Sequence, residues 1–249
     1  MKEKFVKFGI VLLVFLLSVG LALAVLSSYI SVTGTALLST NPNIVLWLPF
    51  NEGSGCTAYD ISQYGNNGNL EPSCPDNNPV WVNGILGKAL DFDGSDDYVE
   101  VLHSFSLNIG DGGITLEAWI NTDAFPSGDR WQVIGKVDAY ALQVSDNGKV
   151  RVWLGPLTTY VETDNVVLQS DEWYHIAGVY DGSTVKIYVN GNLEKEVSKT
   201  GDQATSTNNI LIGARIPGGY FNGIIDNPRI WNIALTAEQI LNIYQKGVG

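Results

Sequence analysis

The sequence predicts an all-β domain, a sandwich or barrel of short strands closed by one C-terminal helix, set behind a hydrophobic N-terminal leader. Three observations carry this reading. Short runs of β-branched and aromatic residues recur between Ile44 and Trp231. Clusters of Gly, Asn and Asp separate them, with no long helical pattern in between. A lysine-flanked apolar stretch comes first.

The leader opens with Lys2, Lys4 and Lys7, and no further charge appears before Glu52. The run from Phe8 to Leu26 is almost wholly apolar. A basic start before an apolar run is an export signal or a membrane anchor. The lysines stay cytoplasmic, so everything downstream is exported. Ala22-Leu23-Ala24 offers a signal-peptidase site. Against cleavage, the run approaches the roughly 20 residues that span a bilayer. Residues 1–40 are therefore a signal peptide or an N-terminal anchor with its linker, attached to the membrane only if uncleaved. Residues 41–249 are one domain.

The strands follow in order. Ile44–Phe50 alternates and is rich in β-formers. Ala89–Phe92 and Tyr98–Val101 flank the turn Asp93-Gly94-Ser95-Asp96. Ile114–Ile120 alternates cleanly, and Trp131–Lys136 and Tyr140–Val144 follow. Asp146-Asn147-Gly148 is a hairpin turn into Lys149–Leu154. Glu172–Tyr180 and Thr184–Val189 meet through Asp181-Gly182-Ser183. Asn190-Gly191-Asn192 turns into Leu193–Val197. Asn209–Gly213 and Tyr220–Trp231 close the β part. In Thr236-Ala237-Glu238-Gln239, Thr236 caps a helix and Gln239 reaches back, with Ile240, Leu241 and Tyr244 on one face at the sandwich edge.

Net charge is −12, and residues 1–24 carry three Lys and one Glu, so the exported part sits near −14. That excludes nucleic acid, which needs basic patches. Cys56 and Cys74 are the two cysteines. An even pair outside the cytoplasm reads as a disulfide. The alternative, a metal site, lacks a Cys-x-x-Cys partner or a nearby His.

Several strings together carry a family likeness. They are Leu46–Gly55 (LWLPFNEGSG), Asp60–Gly68 (DISQYGNNG), Gly87–Gly94 (GKALDFDG) and Tyr98–Val101. Ile114–Ile120 (ITLEAWI), Glu172–Gly182 (EWYHIAGVYDG), Ile187–Gly191 and Phe221–Leu235 (FNGIIDNPRIWNIAL) complete them. In order and spacing the chain resembles the laminin-G-like jelly rolls of the concanavalin A-like superfamily, over almost all of residues 44–244. The resemblance implies a two-sheet antiparallel jelly-roll sandwich. It does not fix function, because that fold hosts lectins, protein ligands and passive spacers.

Within the fold so implied, Trp47, Trp119, Trp173 and Trp231 are expected in the core between the sheets, with a ligand platform as the alternative. In Glu172–Tyr180 both alternating faces carry apolar bulk, which suits a central strand covered on two sides. His175 reads as a structural, hydrogen-bonded histidine. Family members often hold a structural calcium where the first and last strands meet. Carried over, Asp60 and Asp226 become side-chain ligands, with Glu52 and Asn66 next, a donor set that suits a hard cation. The alternative is that Asp60 and the Asn-rich stretch make Asx turns. Asp91, Asp93, Asp96 and Asp97 form a second acidic cluster, read as hairpin-turn carboxylates. Trp131, Tyr140, Trp153 and Tyr160, in the middle strands, are the candidate ligand-binding aromatics.

The resemblance also admits glycosidases, which need two carboxyl groups across one cleft. The Glu-x-Asp-x-x-Glu string of laminarinase-type members is absent, and Glu117 stands alone in an apolar strand. His103 and His175 have no Gly-x-Ser-x-Gly elbow beside them. The expected function is non-catalytic: an extracellular recognition or adhesion module for carbohydrate or a protein partner. A structural envelope or appendage subunit is the alternative, and a glycoside hydrolase comes third.

Overall fold

The computed structural model describes residues 39, 41–110, 112–155, 159–201 and 204–248. The signal or anchor expected in the leader lies outside the described residues. Among the described residues no helix is long and apolar enough to cross a membrane.

In chain order the first strands are β1 (Ile44–Trp47), β2 (Thr57–Ala58), β3 (Gly68–Glu71), β4 (Val80–Asn83), β5 (Lys88–Asp93) and β6 (Tyr98–Val101). Then come β7 (Ile114–Thr122), β8 (Arg130–Lys136), β9 (Tyr140–Ser145), β10 (Lys149–Leu154) and β11 (Thr159–Glu162). The last are β12 (Trp173–Tyr180), β13 (Thr184–Val189), β14 (Asn192–Ser198), β15 (Ile210–Ile212) and β16 (Asn222–Trp231), followed by helix α1 (Ala237–Gly247).

The strands form two antiparallel sheets. Sheet 1 runs β14-β13-β12-β7-β16-β5-β4, with β1 also paired to β16. Sheet 2 runs β11-β10-β9-β8-β15-β6-β3-β2. A bulge between Asp226 and Arg229 divides β16. Asn227 takes φ 52° there. Residues 222–225 pair with β5 before the bulge, and Trp231, Ile230 and Arg229 pair with β1 after it. Two tight hairpins use left-handed backbone, Asn147-Gly148 (φ 59° and 80°) and Asn190-Gly191 (φ 50° and 78°).

The main core lies between the sheets. Leu46, Leu90, Phe92, Leu116, Ile120 and Ile176 of sheet 1 meet Val99, Ile134, Leu142, Val152, Ile210 and Ile212 of sheet 2. Each fully buried side chain of this kind contributes about 1.5–3 kcal/mol.

A second apolar cluster covers the opposite face of sheet 1: Ile44, Ala177, Val179, Tyr188, Trp231, Leu235 and Ile240. Strand β12 is thus covered on both faces, as its sequence predicts. Three of the tryptophans, Trp47, Trp119 and Trp231, are a correction. Trp231 belongs to this outer cluster and Trp47 packs against it. Trp119 stacks on Tyr244 of α1, ring centroids 5.6 Å apart. Strand parity is the reason: Leu116, Ala118 and Ile120 take the inner face, which sends Glu117 and Trp119 outward. Helix α1 accordingly lies over this face rather than at the sheet edge. Its start is the expected capping box: Gln239 N donates to Thr236 Oγ1 at 3.2 Å, and Thr236 N donates to Gln239 Oε1 at 2.8 Å.

Candidate functional site

Helix α1 shields one outer face of the sandwich, whereas the outer face of sheet 2 carries polar groups. Alternation builds it. On β9, Tyr140, Leu142 and Val144 enter the core, which turns Ala141 and Gln143 outward. On β10, Val150, Val152 and Leu154 enter the core, leaving Arg151 and Trp153 outside. Gln132 pairs with Gln143, and a register shift in β8 follows between Gln132 and Ile134. Trp153 pairs with Ala141 on one side and Tyr160 on the other.

These residues border a cavity of about 200 Å³ lined by Arg130, Gln132, Gln143, Trp153, Arg215 and Asp138 among others. Small residues make the depression. A Cβ at Gly135 would lie 2.7 Å from Ala141 Cβ and 3.0 Å from Gln132 Cδ. Gln132 Nε2 is fixed by Leu211 O at 3.2 Å and Ala214 O at 2.7 Å. Gln143 is only 2% exposed, and its Oε1 has no hydrogen-bond partner among the described residues. A buried acceptor in that state costs about 1–3 kcal/mol until a donor reaches it. Arg215 Nε is likewise buried and unpartnered among the described residues.

Tyr160, 53% exposed, extends the face. The Arg151 Cζ lies 3.9 Å from its ring centroid. Arg151 Nε and Nη2 both donate to Glu162 Oε2, at 3.0 and 2.7 Å. An indole beside a guanidinium and amides offers an apolar platform with directional polar groups, as small-ligand sites do.

Of the four candidate aromatics, the structure brings Trp153 and Tyr160 together on this face. Trp131 and Tyr140 are corrections. Trp131 packs into the core against Phe221, ring centroids 6.1 Å apart. Tyr140 is 1% exposed and its hydroxyl donates to Leu107 O. Both sit at positions of inward parity. Sequence reasoning missed Arg130, Gln132, Gln143 and Arg215. For the first three, polar residues at every second position of β8 and β9 were the available signal.

Glu117 is not alone. Its carboxylate, 1% exposed, accepts from Arg229 Nη1 at 3.1 Å and Trp231 Nε1 at 3.0 Å, and pairs with His175 Nε2 at 3.0 Å. Burial alone would raise its pKa, but Arg229, His175 and Trp231 together hold it at about 2. Arg229 also stacks on Trp47, its Cζ 4.2 Å from the ring centroid. The histidine is a partner in this buried network, as expected.

Two of the expected calcium ligands, Asp60 and Asp226, have both carboxylate oxygens engaged by hydrogen bonds, whereas the buried Glu52 Oε2 has no partner among the described residues. Asp60 accepts from Trp47 N, Ser62 N, Ser62 Oγ and Asn66 N at 2.6–2.9 Å. Asn66 donates its amide to Val45 O and Ser106 Oγ. This is the Asx-turn alternative, with Asp60 knitting its loop to β1. Asp226, on β16 beside β1, accepts instead from Leu86 N and Asn227 Nδ2. Burial pushes its carboxyl up to about 6. Glu52 accepts from Tyr59 N. The four residues share no common centre through these bonds, and a calcium at Asp60 would have to displace its N–H donors.

Cys56 and Cys74 form a disulfide, Cα atoms 5.6 Å apart. Its loop borders a wider, open cavity of about 570 Å³ lined by Gly55, Asn78, Trp81 and Asp97 among others. Asp93, Asp96 and Asp97 approach within 4.8 Å of one another at its side. They bond within their own turn and to Asn77: Ser95 N donates to Asp93, Asp93 N to Asp97, and Asn77 Nδ2 to Asp96. Burial, with Asp93 and Asp96 adding to it, pushes Asp97 up to about 6.

Among solved structures, domain 4 of AbnA, a GH43 extracellular arabinanase from Geobacillus stearothermophilus in complex with arabinotriose, superposes with TM-score 0.66 at 18% identity. The match covers 82% of this chain and 98% of that domain. The binding domain of Paraclostridial Mosquitocidal Protein 1 gives 0.64 at 16% identity, covering 82% of this chain and 52% of that one. The receptor binding domain of botulinum neurotoxin C/D mosaic serotype gives 0.64 at 17%, covering 83% and 52%. This chain therefore spans about half of each toxin domain. These likenesses are of fold alone. No curated protein sequence matches the chain. The family model for the concanavalin A-like lectin/glucanases superfamily matches residues 93–241, more than half of the chain. The chain belongs to the concanavalin A-like lectin/glucanases superfamily.

Proposed function

We propose that residues 41–249 are an exported, non-catalytic recognition module that binds carbohydrate on the outer face of sheet 2. One observation carries this reading: the depression beside Trp153, where the buried Gln143 Oε1 lacks a donor. A sugar supplies a hydroxyl for the amide and a ring face for the indole. The arabinotriose bound by the arabinanase domain supports a sugar as the ligand class. The Cys56–Cys74 disulfide supports an oxidising, extracytoplasmic setting. The non-catalytic reading rests on Glu117, whose oxygens are committed to three buried partners.

The test is a glycan array on the full-length chain in a non-glycosidic detergent, followed by calorimetry with Trp153→Ala. Saturable sugar binding that weakens about thirtyfold in the variant supports the reading. Affinity unchanged in Trp153→Ala, or no binding across the array, overturns it.

A further inference from the structure

The chain contains four arginines, and three of them, Arg130, Arg151 and Arg215, lie on or beside this one face of a protein with net charge −12. Their local partners decide what the face can take. Arg151 is occupied, since Glu162 accepts two bonds from it and also faces Lys149 at 3.7 Å. Arg130 and Arg215 are in a different state. Their guanidinium groups share a single carboxylate oxygen, Asp129 Oδ1, at 3.3 and 4.0 Å. The Asp129 side chain is 52% exposed, on the turn before β8. The other acid at the rim, Asp138, accepts from Asn208 Nδ2 at 3.1 Å. Two guanidinium groups therefore face one exposed carboxylate at the edge of the depression. Burial lowers the Arg130 pKa, and the nearby Arg215 lowers it further, against the opposing pull of Asp129.

We propose that the groove beside Trp153 binds a carboxylated sugar, a hexuronate unit of an acidic polysaccharide, with Arg130 and Arg215 clamping its carboxylate. Asp129 then acts as a built-in competitor: it occupies the carboxylate position when the groove is empty and swings into solvent when ligand arrives. Guanidinium suits this task because its planar fork meets a carboxylate in two parallel bonds. The buried, unpartnered Arg215 Nε supplies a donor in that fork. The indole of Trp153 receives the ring, and Gln143 Oε1 receives a hydroxyl. This assignment rests on the carbohydrate reading above but goes further, since a neutral sugar would satisfy that reading without using the arginine pair.

The experiment is calorimetry on the full-length chain in a non-glycosidic detergent. The probes are oligomers of galacturonate, glucuronate and mannuronate, each paired with the neutral hexose oligomer of the same linkage. At least one uronate is expected to bind about tenfold or more tightly than its neutral counterpart, the worth of one charge-assisted pair. That preference should shrink with salt. Asp129→Asn should tighten uronate binding by about threefold or more by removing the competitor, and Arg215→Gln should abolish the preference for uronate. If neutral oligomers bind as tightly as uronates and depend on Trp153, the carboxylate clamp is overturned while the carbohydrate reading stands. If no oligomer of either kind binds, or binding ignores Trp153→Ala, both fall. Asp129→Asn leaving uronate affinity unchanged overturns the competitor role by itself.

Discussion

Trp153 and Tyr160 face each other across the β10–β11 ladder, and the Arg151 guanidinium lies over the Tyr160 ring at 3.9 Å. The pair is one aromatic surface, half of it pinned by a cation. Pinning lowers the entropy lost when a ligand settles on the ring, since its rotamer is already selected.

Truncating the indole separates binding from folding. Trp153→Ala is expected to cost about 2 kcal/mol of ligand affinity, about thirtyfold in Kd, as buried aromatic anchors do. The melting temperature should fall little, because the ring lies outside the main core. Calorimetry and thermal denaturation on the same preparation check both halves.

The network under α1 behaves in the opposite way. Glu117→Ala leaves Arg229 and His175 buried without their carboxylate, and should destabilise the fold by about 3–5 kcal/mol. Ligand affinity on sheet 2, at the opposite face, should be unchanged in the population that remains folded. Denaturant titration of the variant gives the number.

Acid stability follows from the same carboxylate. The folded pKa of Glu117, about 2, lies below its ordinary value of 4.5. Its contribution is therefore complete above pH 4.5 and is lost as pH falls towards 2, by about 3 kcal/mol. Asp226 and Asp97 have the other sign, with folded values of about 6 against 3.8. Their protonated forms suit the fold, so stability should decline as pH rises from about 4 to 6. Denaturation midpoints measured from pH 2 to 7 should peak near pH 4–5, and Glu117→Gln should flatten the acid limb.

Asp60 gives a prediction that separates its two readings. Asp60→Ala removes the acceptor of four bonds, among them the Trp47 and Asn66 amides, and should cost about 3 kcal/mol. The loss should be the same with calcium or with chelator present. A wild-type melting temperature that rises with calcium and is insensitive in the variant would favour the metal reading instead.

Breaking the disulfide by Cys56→Ser and Cys74→Ser opens a short loop, with a sequence separation of 18. It should cost about 3 kcal/mol in the chain-entropy account. Sugar binding at Trp153 should persist, since that groove and the cavity beside the disulfide share no lining residue. Thermal melts with and without reductant test this.

Much of the fold was legible because its strands are long or sharply alternating. Ile114–Ile120, Lys149–Leu154 and Thr184–Val189 read directly, and the capping box fixed the start of α1. The short strands β2, β3 and β4 and the edge strand β11 escaped, whereas β6, equally short, is marked by the turn Asp93-Gly94-Ser95-Asp96 before it. The site was half legible. Aromatic type pointed to Trp153 and Tyr160, but type without parity also drew in Trp131 and Tyr140, which face inward. Arg215 follows β15 on a turn, and no local pattern ties it to Arg130. The Glu117 network joins β7, β12 and β16, strands separated by dozens of residues, so Glu117 looked isolated in its own strand.

The zipping of β1 onto β16 has a mechanical consequence. Any load on the chain ahead of Ser39 meets the bond from Ser39 N to Ile61 O and then a four-residue ribbon held to the last strand by a short ladder. That ribbon is also pegged sideways, by Asp60 on the Trp47 amide and by Asn227 on its indole. Tension would fall first on these bonds around Trp47, on the sheet opposite the one that carries Trp153.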